Sequence, residues 1–307
     1  MALVNKAAAK LREMLADPDK IIVCPGVHDG LTARMALHVG FDALYMTGAG
    51  TAASRLGQPD LGLTTVDDMA TNAGMIASLD RSVPVVADAD TGFGGPLMVS
   101  RAVEKYALGG VAALHLEDQV LSKRCGHLLG KELVETDVFT ARIRAAAAAR
   151  QRLGSEIVII ARSDALQSLG YADAVTRLKE AVRAGADAVF LEGMTSKEQM
   201  RAVVRDMAPT PCLLNMVGGG VTPLVNSAEA KEMGFRIVIW PLAGLTSVYL
   251  GMRQFCKELK DTGEIKERYT PEGKIDGGVR DVFELCGLTA CGEFDKEMGG
   301  TSFAKGA

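Results

Sequence analysis

The stretch VPVVADADTGFGGP, residues 83–96, decides how the rest of the chain is read. Its apolar, β-branched start does not alternate with polar residues, the mark of a strand buried on both faces, as in a parallel sheet. The run closes on Asp88 and Asp90, which one intervening residue places on the same side. Gly92, Gly94 and Gly95 leave a loop with few side chains, and a helical pattern, VSRAVEKYALGG, follows to Gly110. This unit of strand, polar end, loop and helix recurs along the chain.

Working outward, equivalent apolar runs are KIIVCPG (20–26), ALYMTGAG (43–50), VAALHLED (111–118), EIVIIARSD (156–164), DAVFLEG (187–193), PCLLNMV (211–217) and RIVIWPLA (236–243). With the first, that makes eight. Helical segments lie between them, several ending in glycine as a helix C-cap should. Eight strands alternating with helices predict a (β/α)8 TIM-type barrel. An open doubly wound sheet would carry GxGxxG at its first crossover, where this chain has CPGVHDG. No linker or second domain emerges. The expectation is a single barrel domain over 1–307, with a core at about 20–255 and a C-terminal helical arm at about 256–307 that docks.

The 307 residues are 48% hydrophobic and carry a net charge of −4. That excludes the basic footprint of a nucleic-acid or anionic-membrane binder. No apolar run approaches the roughly 20 residues that span a bilayer. The amphipathic N-terminus carries Glu13, Asp17 and Asp19, which argue against a targeting peptide. A cytoplasmic protein with a surface or partner-facing N-terminal helix is expected. The six cysteines are scattered without a CxxC pair, and most, including Cys24 and Cys212, should be small core residues.

A barrel of this kind builds its active site at the C-terminal ends of its strands. There the sequence sets Thr47, Asp88, Asp90, Glu117, Arg162, Glu192 and Asn215. Three converging carboxylates, Asp88, Asp90 and Glu117, repel unless a cation is present. An all-oxygen set favours Mg²⁺, or Mn²⁺, over zinc, with Asp60 of GQPDLG joining through a water. Salt bridges to Lys123, Arg124 or Arg162 are the alternative. TGAG at 47–50 exposes the amides of Thr47, Gly48 and Ala49 as a cradle for a carboxylate or enolate oxygen. KRCGH at 123–127 sits in the long loop QVLSKRCGHLLGKEL. A thiol between Lys123, Arg124 and His127 should have a depressed pKa. A zinc pair of Cys125 and His127 lacks its further ligands.

KRCGH, taken with YMTGAG, DADTGFG, HLEDQ, ARSDAL, FLEG and the Asn of LLNM, resembles the isocitrate lyase/phosphoenolpyruvate mutase superfamily from about residue 20 to 250. The KRCGH loop is specific for its carbon–carbon lyase branch. The resemblance implies a Mg²⁺-dependent barrel acting on α-oxo or α-hydroxy carboxylates, a gating loop around Cys125, and a homotetramer, a dimer of dimers exchanging the last barrel helix. It implies that Cys125 acts as general acid, that Lys123 and Arg162 stabilise charge, and that His127 tunes the thiol. Tyr45, or a water held by Glu117, is the candidate base. Thr47, Gly48, Ala49, Arg124, Gly126, Glu192, Asn215 and Pro241 would surround the substrate. Relatives that cleave the tricarboxylate methylisocitrate carry an arginine after strand eight, where this chain offers Thr246. Relatives that hydrolyse oxaloacetate carry a serine where it has Pro241. The expected reaction is cleavage of 2,3-dimethylmalate to pyruvate and propionate, with oxaloacetate hydrolysis to oxalate and acetate as the alternative. A phosphonomutase-type or decarboxylase activity is disfavoured by Cys125, and a non-catalytic metal-binding barrel would need no reactive thiol.

Overall fold

The computed structural model describes residues 4–273 and 275–301; the last residues of the expected arm, 302–307, lie outside it. Eight parallel strands close into one barrel in sequence order: β1 (Ile22–Val27), β2 (Leu44–Met46), β3 (Val85–Asp88), β4 (Ala113–Glu117), β5 (Val158–Ser163), β6 (Ala188–Leu191), β7 (Cys212–Asn215) and β8 (Ile237–Trp240), which pairs back with β1. The (β/α)8 expectation therefore holds. The helices are α1 (Lys6–Ala16), α2 (Gly30–Val39), α3 (Gly48–Leu56), α4 (Val66–Leu79), α5 (Pro96–Gly109), α6 (Thr136–Leu153), α7 (Leu166–Leu169), α8 (Tyr171–Arg183), α9 (Lys197–Met207), α10 (Ser227–Glu232), α11 (Ala243–Thr262), α12 (Val279–Leu285) and α13 (Leu288–Glu297). None of the described helices is long and apolar enough to cross a membrane.

Local chemistry starts and stops these helices. Asp29 caps α2 in a reciprocal box with Thr32, and Thr65 caps α4 in another with Asp68. The TGAG stretch is not strand. Thr47 accepts a hydrogen bond from the Gly50 amide and caps α3, so β2 stops at Met46.

Strand side chains alternate between two cores. One parity faces the surrounding helices; the other fills the barrel with Ile22, Cys24, Tyr45, Val86, Ala113, Val158, Ile160, Phe190, Leu213, Ile237 and Ile239. Ala7, Ala8, Leu11 and Leu15 of α1 pack into that interior layer. Asn5 accepts from the Ala7 and Ala8 amides and donates to the Val111 carbonyl at 3.0 Å. Arg12 donates to the Glu156 carbonyl at 2.7 Å and pairs with Asp187 at 3.2 Å. The N-terminal helix is thus the barrel's floor, not the surface or partner-facing element expected. Its apolar stripe was legible, but not what it covers. The cysteines also need correcting: Cys24 and Cys212 are core, whereas Cys256, Cys286 and Cys291 are exposed.

The last barrel helix differs from the others. None of the 20 residues of α11 is buried, and Val248, Tyr249, Leu250 and Met252 stand in the open. Its first turn leaves from beside β1, where a Cβ at Gly244 would lie 2.9 Å from the Gly26 carbonyl oxygen. Beyond it, α12 lies against α2.

Candidate active site

The inward parity that fills the barrel predicts what lies above it. Two residues past the last apolar inward position of β2, β3 and β5 to β8 come Thr47, Asp88, Arg162, Glu192, Asn215 and Pro241, and on β4 the same parity gives His115 and then Glu117. Parallel register then sets neighbours side by side: Asp88 beside His115, Glu117 beside Arg162, and Arg162 beside Phe190. A cavity of about 170 Å³ opens here. Its walls include Tyr45, Thr47, Ala49, Asp60, Asp88 and Arg162 on one side. Phe190, Glu192, Asn215, Val217, Pro241 and Leu242 continue the wall, and Cys125, Gly126 and His127 form the roof.

Five expected site residues, Gly48, Asp90, Glu117, Lys123 and Arg124, do not line this cavity. Arg124 is exposed and turns toward the Leu129 carbonyl at 3.5 Å. Glu117 lies fully buried beneath, 3.2 Å from Arg162 and accepting from Gln119 at 3.0 Å. Asp90, at φ +45°, faces a second cavity with Thr64, Thr91 and Phe93 and accepts from the Thr64 hydroxyl at 3.2 Å. Lys123 also leaves the thiol. Its buried ammonium bridges Asp60 and Asp90, the latter at 2.6 Å. The salt-bridge alternative therefore accounts for Asp60, Asp90 and Glu117 as they stand here.

Cys125 reverses another expectation. Burial pushes its thiol up rather than down, since Lys123 and Arg124 both point elsewhere. Near neutrality it is a protonated thiol, a proton donor rather than a thiolate nucleophile. The loop carrying it is pinned by the Cys125 amide on the Asp60 carbonyl at 3.2 Å. Gly126 is required by closeness. A Cβ there would lie 2.3 Å from Arg162 Nη2 and 2.6 Å from Glu192 Cγ.

Arg162 is the electrostatic centre. It grips Asp164 through Nε at 2.9 Å and Nη2 at 3.2 Å, approaches Glu192 at 3.5 Å, and lies 5.0 Å over the Phe190 ring. Burial alone would raise the Asp164 carboxyl, but Arg162 and Lys131 outweigh it and hold it at about 2. Burial also opposes ionisation of Asp88, yet His115, Lys123 and Arg162 outweigh it and keep the carboxyl below its usual range. His115 itself is lowered by burial to about 4. Its ring is therefore neutral near pH 7, and Lys123 and Arg162 supply the charge that Asp88 answers. Tyr45 hydrogen-bonds His115 Nε2 at 2.8 Å. Burial and the nearby Asp88 raise its phenol, so Tyr45 is protonated at rest. Glu192 accepts from Asn215 Nδ2 at 2.9 Å, and Asn215 Oδ1 and His127 Nδ1 are buried without partners.

The helix α3 N-terminus meets the cavity floor at Asp88. A Cβ on Gly48 would lie 2.3 Å from Asp88 Oδ2, so only glycine lets the first-turn amides come this close. Among the described residues no three His, Cys, Asp or Glu side chains converge as a ready-made coordination set. Mg²⁺ asks for less: one or two carboxylates, with waters completing its shell. Asp88 and Asp60 line the cavity, and the buried Asp90 Oδ1 and Glu117 Oε2 have no hydrogen bond, only ion-pair partners. Asp90 is pushed by burial to about 6, against the pull of Lys123. This oxygen-only, charge-crowded floor fits a hard divalent cation.

Several site residues escaped the sequence reading: His115, Phe190, Val217, Leu242, Asp164, Lys131 and the Gly218–Gly220 turn. The inward parity would have found His115 and Phe190, each two residues before a named site residue. The glycine turn had no such signal. A Cβ on Gly220 would meet His127 Nδ1 at 2.6 Å, a contact between loops far apart in sequence.

Comparison with known proteins agrees with this geometry. The family model described as phosphoenolpyruvate phosphomutase matches residues 11–260. A 2,3-dimethylmalate lyase from Eubacterium barkeri is 43% identical over 238 residues, covering 78% of this chain and 81% of that protein. A crystal structure of 2,3-dimethylmalate lyase superposes with a TM-score of 0.92 at 54% identity over 98% of each chain. Oxaloacetate acetylhydrolase bound to 3,3-difluorooxalacetate gives a TM-score of 0.92 at 51% identity, over 97% of this chain and 99% of that one. Phosphonopyruvate hydrolase in complex with oxalate and Mg²⁺ is more distant, at 25% identity and a TM-score of 0.81, over 96% and 99% of the two chains.

Proposed function

The chain is a carbon–carbon lyase of the phosphoenolpyruvate mutase/isocitrate lyase superfamily, and on that premise we propose that it cleaves 2,3-dimethylmalate to pyruvate and propionate. The observation that carries the choice is the cavity wall. Opposite the charged Asp88–Arg162 side stand Pro241, Val217 and Leu242, beneath the protonated thiol of Cys125. An apolar wall suits the methyl groups of an alkylmalate. Hydrolysis of oxaloacetate passes through a hydrated carbonyl whose extra hydroxyl needs a partner, and the Pro241 side chain has none to give.

Mg²⁺, or Mn²⁺ in its place, would be held by Asp88 and through waters by Asp60, Asp90 and Glu117, and would neutralise charge on the substrate carboxylate and C2 oxygen. The chain's own residues do the rest. Tyr45 takes the C2 hydroxyl proton, relaying its own to neutral His115. As C2 becomes a carbonyl, the C2–C3 bond breaks and its electron pair passes into an enolate of the departing propionate. Arg162 and the Thr47, Gly48 and Ala49 amides face that charge, while Lys123 holds the carboxylates beneath it. Cys125 then delivers its proton to C3. Asn215 and His127 face the substrate's far carboxylate, Glu192 orients Asn215 by accepting from its amide, and Gly126 leaves them room.

The exposed apolar side of α11 supports the expected homotetramer, in which this helix crosses onto a partner's barrel and the 256–307 arm follows it. The experiment is product analysis by mass spectrometry with purified protein, using 2,3-dimethylmalate, oxaloacetate and methylisocitrate in turn. Pyruvate and propionate are expected from the first, lost with excess chelator and restored by Mg²⁺ or Mn²⁺. Full turnover in chelator would remove the metal from the account.

A further inference from the structure

Lys131 stands at the far end of the roof loop, and nothing in the reaction above uses it. Its ammonium is nonetheless buried, with 2% of its side chain exposed. A lysine charge withdrawn from water is tolerated only where fixed partners replace the hydration. Lys131 Nζ has two. It donates to the Gly126 carbonyl at 2.7 Å and to Asp164 Oδ1 at 3.0 Å.

Those partners belong to different parts of the site. Gly126 directly follows Cys125, so its carbonyl moves with the thiol. Asp164 closes β5, accepts both arms of the Arg162 guanidinium, and has its own amide anchored on Asp118 Oδ1 at 2.9 Å. One ammonium thus ties the loop that carries the acid to the carboxylate that aims the cation. The loop is also held nearer β4, by Lys123 on Asp60 and Asp90, by the Cys125 amide on the Asp60 carbonyl, and by His127 Nε2 against Asn215 Nδ2 at 3.3 Å. Past His127, Leu128 and Leu129 are exposed and Lys131 is the buried tie.

We propose that Lys131 is a positioning residue that latches the 119–133 loop closed, so that Cys125 and Arg162 reach their working places together. If the loop swings out, the Gly126 carbonyl departs and Lys131 keeps only Asp164. The inference rests on the lyase reading for the role of the thiol, but the latch itself can be measured without turnover.

The test is hydrogen exchange by mass spectrometry on the full chain with Mg²⁺ and oxalate as the probe, comparing wild type with Lys131→Met. In wild type, exchange across 120–133 should slow when oxalate is added. In Lys131→Met it should remain about 10- to 100-fold faster than in the oxalate-bound wild type, the equivalent of one lost hydrogen bond to a charged group. Peptides covering the eight strands should exchange alike in both proteins, which separates a latch from general unfolding. Lys131→Gln keeps a donor without the charge and should recover part of the protection; it carries the test if the Met variant does not fold. Equal loop exchange in wild type and either folded variant would overturn the latch, whatever the substrate proves to be. Absence of pyruvate from 2,3-dimethylmalate would overturn the functional reading and leave the exchange result standing.

Discussion

At the floor of the barrel, Leu11 and Leu15 of α1 close over Ile22, Val158 and Leu213, and the neighbouring polar groups are tied to strand-end carbonyls or to one another. One or two inward positions further up the barrel's strands stand Asp88, His115, Glu117, Arg162 and Asn215, all buried, and among them His115 Nδ1, Glu117 Oε2 and Asn215 Oδ1 have no hydrogen-bond partner. The same alternation writes both layers. What differs is whether each layer is satisfied within the chain. The floor is complete, so it supplies stability. The upper layer keeps those groups open to a ligand, which is what a binding site costs its fold.

Substitutions should separate the two ends. The largest effect belongs to the roof. Cys125→Ser should lower kcat by about 10²–10⁴, the usual worth of a positioned acid, with the melting temperature unchanged. A near wild-type rate would show that the thiol is incidental. At the floor the pattern should invert. Leu11→Ala removes a fully buried side chain and should cost about 2–5 kcal/mol in denaturant unfolding, with kcat per folded molecule kept. An unchanged unfolding midpoint would mean that α1 does not plug the barrel.

The contrast bears on how much could be read from sequence. The strands, their order and nearly every residue of the upper layer follow from parity, because each strand's polar end is local. The floor was misread because the amphipathicity of α1 does not say which surface it meets. The Cys125 environment was misread for a related reason. Lys123 and Arg124 flank the thiol in sequence, but Asp60 and Asp90 draw one away and solvent takes the other. Adjacency along a loop fixes neither direction nor partner. The carboxylates at the strand ends were legible, yet the pairing of Glu117 with Arg162 and of Asp90 with Lys123 depends on register and loop closure that no single segment encodes.

Acid should sharpen the comparison more gently. Asp164, held at about 2 against an ordinary value near 4, binds its proton later than the unfolded chain does as pH falls. Its contribution, on the order of 2 kcal/mol, is present above about pH 4 and lost as pH drops through about 2. Unfolding measured between pH 5 and 2 should therefore show a shallower loss in Asp164→Asn than in wild type. Parallel profiles would deny the carboxylate that role. The smallest shift expected is at Pro241. Replacing it with serine restores a hydroxyl partner and should move the ratio of oxaloacetate hydrolysis to dimethylmalate cleavage up by about 10-fold.

The most direct measurement is that ratio in the unmodified protein: kcat/KM for 2,3-dimethylmalate cleavage against kcat/KM for oxaloacetate hydrolysis, in one preparation with saturating Mg²⁺. The apolar wall at Pro241 and the protonated Cys125 predict that cleavage, forming pyruvate and propionate, is the faster reaction. Faster formation of oxalate and acetate from oxaloacetate would contradict that account and make the chain a hydrolase.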